Sequence, residues 1–450
     1  MSKKPKDIVY NQFDKGETNE LLYQNGFYKL ENTDIFKHSG MATGQVNLGS
    51  ALQDVEASMF GVSEHYNIAF SVKSNKRWRL WQNGTSVVAM PDNSATVSCI
   101  RDVATMNNYI YYLAGEYLGR VHNGAFEDSF VNMRNNHATT LFSLDKILYI
   151  GLDSNVASVD DTGFYTPAAI DLPTESGFVV DLINYGDDLL ILKENKVFQW
   201  DTFSKSWTVS DDIPGKAFTF IKADNYIFVL SNEKTRGTIY QYGNGKLSAI
   251  AHFPRFHRRY GTTNFYEING IQNKQTGMYD GRPVFAVKNK IYSIYRNTAG
   301  SQFTICCEFA LPEDRYIESI GKVNLNDHLD YLNDFYISAT SHNLPTNGIT
   351  VVDRSWDTYS NAKITTPLAQ GDFQTIEVGV YDLPENTSIE IEVKEDNGEW
   401  LPQEVVVDME DTNTVSTEVS AIQHRFLQAR ITLQGSNEDS PIIDSITFRR

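Results

Sequence analysis

A short pattern returns along this chain roughly every 40 residues, and that return limits the folds open to it. A polar pair precedes a strand of aromatic and aliphatic residues. Asn107-Asn108 stands before "YIYYLAG", Asp145-Lys146 before "ILYIGL", Asp187-Asp188 before "LLILK" and Asp224-Asn225 before "YIFVLS". Glu64-His65, Asn289-Lys290 and Asn333-Asp334 stand in the same relation to "YNIAFSV", "IYSIY" and "FYISAT". The second turn residues fall at 65, 108, 146, 188, 225, 290 and 334. The one long interval holds an insertion that begins "HFPRFHRRYG" at His252.

Each unit then carries a second hairpin, marked by Asn83-Gly84, Asn123-Gly124, Asp161-Thr162-Gly163, Phe203-Ser204-Lys205, Asn244-Gly245 or Thr298-Ala299-Gly300. Asn-Gly accepts the positive φ values of a tight two-residue turn. Four antiparallel strands in about 40 residues is the size of a propeller blade. Strands such as "LLILK" are apolar at nearly every position and need cover on both faces, which radial stacking supplies. The expected fold class is therefore all-β: a β-propeller of about seven four-stranded blades over 51–366. Leu189, Ile191, Tyr226 and Phe228 are expected between blades. Residues 1–50 form an N-terminal arm, and 25–51 are a candidate ring-closing strand.

From about Pro367 the pattern changes to strict polar–apolar alternation, as in "TSIEIEVKEDNGEW" and "RFLQARITLQG". Alternation places one face in a core and one in water. Residues 367–450 are expected to form a small C-terminal β-sandwich.

Charge and cysteine usage narrow the function classes. A net charge of −18 repels polyphosphate. Wrapping of nucleic acid and sequence-specific recognition are not expected, although a repelling surface does not hinder DNA sliding past it. The three cysteines, Cys99, Cys306 and Cys307, make no CxxC pair and read as buried free thiols of a reducing compartment. No apolar run reaches the ~20 residues of a membrane helix, so no membrane insertion is expected. The start, "MSKKPKDIVYNQ", lacks an apolar stretch of secretory type.

The chemistry-bearing motifs are sparse. "SVDDTGFYT", Ser158–Thr166, is an imperfect copy of a sialidase-type Asp-box and reads as a turn. The segment "VFQWDTFSKSWTVSDDIP" ends a blade in a manner similar to kelch repeats, without their paired glycines. Trp78 and Trp81 are assigned to blade packing. "LNDHLDYLND", Leu325–Asp334, is oxygen-rich but lacks the glycine of a calcium loop. The nine histidines have no metal-ligand spacing. No catalytic set, metal or cofactor is expected, and the chain is read as a non-enzyme. The best candidate contact surface is the basic, aromatic-interleaved cluster His252, Arg255, His257, Arg258, Arg259 and Tyr260. Such a cluster suits phosphate, sugar or an acidic protein partner.

Two phrases carry a resemblance. "GFYKLENTDIFKHSGMATGQVNL", Gly26–Leu48, resembles the opening of tailed-bacteriophage virion proteins, where such a phrase leads into a propeller. "FLQARITLQGSNEDSPIIDSITFRR", Phe426–Arg450, resembles their ending through Gln428, Arg430, Ile431, Leu433, Ser440, Pro441, Ile443, Ser445 and Ile446. The resemblance implies a structural component of a phage tail, nozzle or hub, assembled in the host cytoplasm and present in several copies in a ring. It would touch other tail proteins and act in assembly, host attachment or DNA passage. This chain departs from nozzle proteins in that the propeller is not visibly inserted into a larger tube-forming domain, so an accessory, adhesin or fibre-joining protein is the other form the resemblance allows. The alternative is a propeller that binds or cleaves a host-surface glycan during receptor recognition, which requires a pocket with Trp and paired carboxylates.

Overall fold

The computed structural model describes residues 100–254 and 361–450 almost continuously, and between 7 and 99 and between 276 and 352 chiefly the strand segments. The chain divides into two compact units. The larger comprises Ser50–Asn289 and Pro312–Val351; the smaller comprises Met1–Gly49, Lys290–Leu311 and Val352–Arg450.

The larger unit is a β-propeller. Its seven innermost strands are Phe60–Ser63, Ile100–Met106, Ala138–Leu144, Val179–Tyr185, Lys216–Ala223, Thr276–Tyr279 and Arg315–Val323. Each touches the next, and the seventh touches the first, so the ring closes. Blades 1 to 5 are each a four-stranded antiparallel sheet whose strands follow chain order from the inside outward. Blade 7 has three strands among the described residues. The chain leaves the larger unit within the sixth repeat and returns for the seventh.

Alternation explains how one strand serves two neighbours. Leu189 and Ile191 of blade 4 pack with Tyr149, Val156 and Ile170 of blade 3. Leu190 and Leu192, pointing the other way, pack with Phe220, Ile227, Val229 and Tyr240 of blade 5. All four side chains are fully buried, as is Phe228, whereas Tyr226 is half-buried. The hairpin turns use the left-handed backbone that Asn and Asp tolerate, with Lys146 drawn into it beside Asp145. Asn107 and Asn108 take φ of 49° and 63°, Asp145 and Lys146 take 50° and 61°, and Asn244 takes 51°. One turn lies a residue earlier than expected: Gly186 adopts φ 62°, and Asp188 already pairs with Tyr185 as the first residue of its strand.

The smaller unit is a two-layer β-sandwich. One sheet runs Thr33–Asp34, Ala42–Gly44, Ile442–Arg449, Thr375–Asp382, Thr414–Glu418, Val406–Asp408, with Ile8–Tyr10 also paired to Ile442–Arg449. The other runs Lys29–Glu31, Ala362–Thr365, Leu427–Gln434, Ser388–Glu395, Leu401–Pro402. Ile376, Val378, Ile391, Ile431, Leu433, Ile446 and Phe448 fill the space between them. The arm completes that core. Phe13 and Phe27 stack at 4.3 Å and are fully buried, with Leu30 and Ile35 beside them in the same core. The described strands of the segment offered as a ring closer thus pair within the sandwich. Ala362–Thr365 also belongs here, ahead of the expected start at residue 367.

Candidate functional site

The inner strands of the propeller meet around a cavity of about 180 Å³, with polar lining from Asp102, Thr139, Thr140, Asp181, Thr219 and Thr276. Four of these residues occupy one position of the repeat. Counting back four from the residue that closes each inner hairpin (Met106, Leu144, Tyr185, Ala223) gives Asp102, Thr140, Asp181 and Thr219 in blades 2 to 5. A β-bulge accompanies the position in all four blades and re-aims the side chain off the regular pleat.

The Asp and Thr then pair across blades. Asp102 accepts from Val103 N at 2.8 Å on one oxygen, and from Thr140 Oγ1 at 2.9 Å and Leu141 N at 2.8 Å on the other. Asp181 repeats the arrangement with Leu182 N at 2.8 Å, Thr219 Oγ1 at 2.9 Å and Phe220 N at 2.7 Å. Between these clasps, Thr139 Oγ1 donates to Val179 O at 2.8 Å, tying blade 3 to blade 4. Lys193, fully buried in blade 4, donates to the blade 3 carbonyls of Ser154 at 2.9 Å and Pro173 at 2.5 Å. Burial pulls its ammonium down to about 8, against the opposing pull of Glu175 and Asp171.

These geometries stitch blades together. Both carboxylates spend their lone pairs on donors of their own and the next blade, which is how buried acceptors satisfy themselves. At this cavity both carboxylates are engaged in these bonds between blades. Among the described residues no group of His, Cys, Asp and Glu is placed to hold a metal ion.

The predicted contact cluster is only partly described. His252 sits near the end of the outermost strand of blade 5, Lys246–Pro254, with Nδ1 3.1 Å from Thr238 Oγ1. Thr238 and Tyr240 both donate to Glu233, at 2.6 and 3.1 Å, and hydrogen bonding from Thr238 holds that carboxyl below its ordinary range. Phe253 is buried against Phe285, and its ring occupies the space that a Cβ at Gly237 would need. His252 and Phe253 are therefore part of the blade wall. Arg255, His257, Arg258, Arg259 and Tyr260 lie outside the described residues, as do Cys99 and most of Leu325–Asp334. The side chains of Trp78 and Trp81 do too.

Two other sequence candidates resolve into turns. Asp160 Oδ1 accepts from Thr162 N, Thr162 Oγ1 and Phe164 N, which makes "SVDDTGFYT" a self-capped turn. Asp201 caps its own turn through Phe203 N and Ser204 N. Cys306 and Cys307 are buried and free, and Cys306 Sγ donates to Thr33 O at 3.3 Å.

The phrase "ENTDI" of the arm clips the hairpin Lys290–Ala310 into the sandwich. Glu31 pairs with Lys290, Asn32 Oδ1 accepts Ala310 N at 2.7 Å, and Asn32 takes φ 52° to present it. In the closing phrase, Arg430 forks onto Glu392 with both bonds at 2.6 Å and lies 4.6 Å from the Trp400 ring centre. Gln428, buried, donates to Thr366 O at 2.7 Å.

The class defined by ring and sandwich is a seven-bladed β-propeller protein carrying a second all-β domain built from both chain ends. No protein-family model matches the chain, and no curated protein sequence matches it. Solved structures with a similar fold include the extracellular domain of a one-component-system protein from B. thetaiotaomicron, with 12% identity and a TM-score of 0.45. That likeness covers 80% of this chain, and the chain spans 44% of that longer domain. The β-propeller domain of Cps50 (Swd1) from Myceliophteria thermophila is similar at 9% identity and TM-score 0.45, over 67% of this chain and 98% of that one. BamB from Moraxella catarrhalis is similar at 10% identity and TM-score 0.43, over 78% and 96%. At such identities the likeness is one of fold alone.

Proposed function

We propose that this chain is a structural component of a tailed-phage virion, a tail, nozzle or hub part that works by protein–protein contact without a catalytic site or cofactor. One observation carries the reading. The phrases Gly26–Leu48 and Phe426–Arg450, which bear the resemblance to virion proteins, come from opposite ends of the sequence and meet in one domain. Ala42–Gly44 pairs directly with Ile442–Arg449, and Lys29–Glu31 reaches Leu427–Gln434 through Ala362–Thr365. The resemblance is thus to a folded module rather than to two unrelated scraps of sequence. Its matching residues, Ile431, Leu433, Ile443 and Ile446, are fully buried, which suits kinship of a scaffold.

In this reading the sandwich is the assembly module, and the propeller is the body it carries on the tail. Place of action is the virion, after assembly in the host cytoplasm. Mass spectrometry and antibody-labelled electron microscopy of purified phage particles test it. The expected result is this chain at a fixed multiple per particle, with label on the tail. Presence in the infected lysate but not in washed particles overturns the proposal.

A further inference from the structure

The outermost strand of a propeller blade is an edge strand, and natural proteins guard such edges with bulges, charges or Pro. Most blades of this ring follow that rule. A β-bulge interrupts the outer strand pair of blades 1, 2, 3 and 5. The outer strand of blade 2 adds Glu127 and Asp128, that of blade 3 Pro167, and that of blade 5 Lys246 and Pro254. Blade 4 departs from its neighbours. Its outer pair, Val197–Asp201 with Ser206–Val209, runs in regular register without a bulge. The strand Ser206–Val209 holds no charge and no Pro, and all four of its residues are exposed. Trp207 is 38% and Val209 44% exposed, and Phe203 in the turn before them is 96% exposed.

The backbone of this edge is held ready for a further strand. Ser210 N donates to Val197 O at 2.9 Å and so continues the ladder between the two strands. Antiparallel ladders alternate between bonded and non-bonded pairs. Ser206 and Thr208 therefore turn their N–H and C=O toward Val197–Asp201, while Trp207 and Val209 turn theirs outward. The side chains of Trp207 and Val209 share one face of the sheet with Phe198 and Trp200, and Trp207 stands edge-on to Phe198 at 5.2 Å. Lys205 precedes the strand and Asp211 follows it. Both are exposed, and neither has a salt-bridge partner among the described residues.

We propose that Ser206–Val209 pairs antiparallel with the same strand of a second copy of this chain, joining two blades into one continuous sheet. A twofold axis normal to that sheet keeps like faces together. In the register centred on Thr208, Trp207 lies opposite the partner's Val209, and Val209 opposite the partner's Trp207. Each of those pairs has outward-turned backbone on both sides and exchanges two main-chain hydrogen bonds. Thr208 meets the partner's Thr208 on the other face. Beyond the strand ends, Lys205 comes to the partner's Asp211, and Asp211 to the partner's Lys205. Aromatic with β-branched, Thr with Thr, and opposite charges are cross-strand combinations that stabilise a sheet. The register centred on Trp207 instead sets Lys205 against the partner's Val209. The edge is thus complementary to itself in one register, which favours a second copy over a foreign strand as its occupant. An isologous contact uses the same edge on both copies and closes at a dimer. This pairing goes beyond the reading of the chain as a tail component and does not depend on it.

Sedimentation of the full chain in solution tests it. The wild type is expected to form dimers with rising concentration and to stop there. Lys205→Asp and Asp211→Lys each set like charges against each other at two places in the symmetric pair. Each is expected to weaken association at least tenfold and, being a surface change, to keep the wild-type melting temperature. An equimolar mixture of the two variants is expected to regain the dimer, because each copy then meets opposite charges at both ends. The double variant K205D/D211K is expected to dimerise on its own for the same reason. Val209→Pro removes an outward N–H and guards the edge, and is expected to abolish the dimer. A wild type that stays monomeric overturns the pairing. So do single variants that dimerise unchanged, or a mixture that stays monomeric. None of these results bears on whether the chain is found in washed particles.

Discussion

The propeller and the sandwich reach closed, well-packed cores by opposite routes. In the ring, every blade is a run of consecutive residues, and each inner strand touches the inner strand of the next repeat. In the sandwich, Ile8 pairs with Phe448 and Tyr10 with Ile446, across nearly the whole sequence. The ring therefore rests mostly on local and nearest-neighbour contacts, while the sandwich must wait for both chain ends. A repeat architecture spreads its stability over many similar interfaces. The sandwich concentrates it where the arm enters, around Phe13, Phe27, Leu30 and Ile35. The two regions should accordingly respond very differently to single lesions.

The sharpest way to break that contrast is Phe27→Ala. Phe27 is fully buried, stacked on Phe13 and 6.3 Å from Tyr10. Deleting such a ring costs about 3–5 kcal/mol through lost transfer energy and the cavity left behind. We expect hydrogen exchange to accelerate in peptides of the C-terminal strands Thr375–Asp382 and Ile442–Arg449 as well as in the arm, while peptides of blades 3 and 4 keep wild-type protection. Equal loss across the ring peptides would show that the two units unfold as one and remove the contrast.

This difference of route also decides what was legible beforehand. The blades announce themselves because turn chemistry and apolar runs repeat at a fixed spacing, and the positive φ of Asn107, Asn108 and Asp145 is what their residue types tolerate, while Lys146 takes it as the second residue of its turn. The C-terminal strands are legible by alternation. The arm's strands are not, because two or three residues such as Thr33–Asp34 are too short to show a period. Phe13 and Phe27 are isolated aromatics in polar text, and nothing local says that their cover comes from the far end of the chain. The Asp–Thr clasp was within reach, since its residues hold one offset from the inner hairpin. The signal was missed because Asp alternates with Thr, so no single letter repeats. The contact cluster was legible as composition, and the structure describes only its first member, His252.

A smaller effect sharpens the view of the ring. Asp181→Ala removes the acceptor for Leu182 N, Thr219 Oγ1 and Phe220 N at the junction of blades 4 and 5. Leaving these part-buried donors without an acceptor costs about 1–3 kcal/mol. Because the junction is one of seven, we expect exchange to rise mainly in Val179–Tyr185 and Lys216–Ala223, with blade 2 and the sandwich unchanged. Asp102→Ala should move the disturbance to Ile100–Met106 and Ala138–Leu144. A disturbance that spreads evenly around the ring in both variants would mean that closure, rather than each junction, carries the stability.

The smallest effect concerns pH. Lys193 is the one lysine fully buried among the described residues, and the sandwich has no counterpart. Its ammonium titrates at about 8 in the folded chain, against an ordinary 10.5, because burial disfavours the charge. A lowered lysine value means that the unfolded chain binds the proton more readily between pH 8 and 10.5. Ring stability should therefore rise with pH across that window and be flat below it, where both states hold the proton. Lys193→Met removes the titrating group and should abolish the slope. It also costs the bonds to Ser154 O and Pro173 O, so its stability at neutral pH reports how far those carbonyls already repay the buried charge. Urea midpoints between pH 7 and 10, followed by exchange in blade 3 and 4 peptides, measure both quantities. A wild-type ring with no slope would mean that the two carbonyls hold the ammonium at no net cost. A slope of equal size in the sandwich peptides would place its origin outside blade 4.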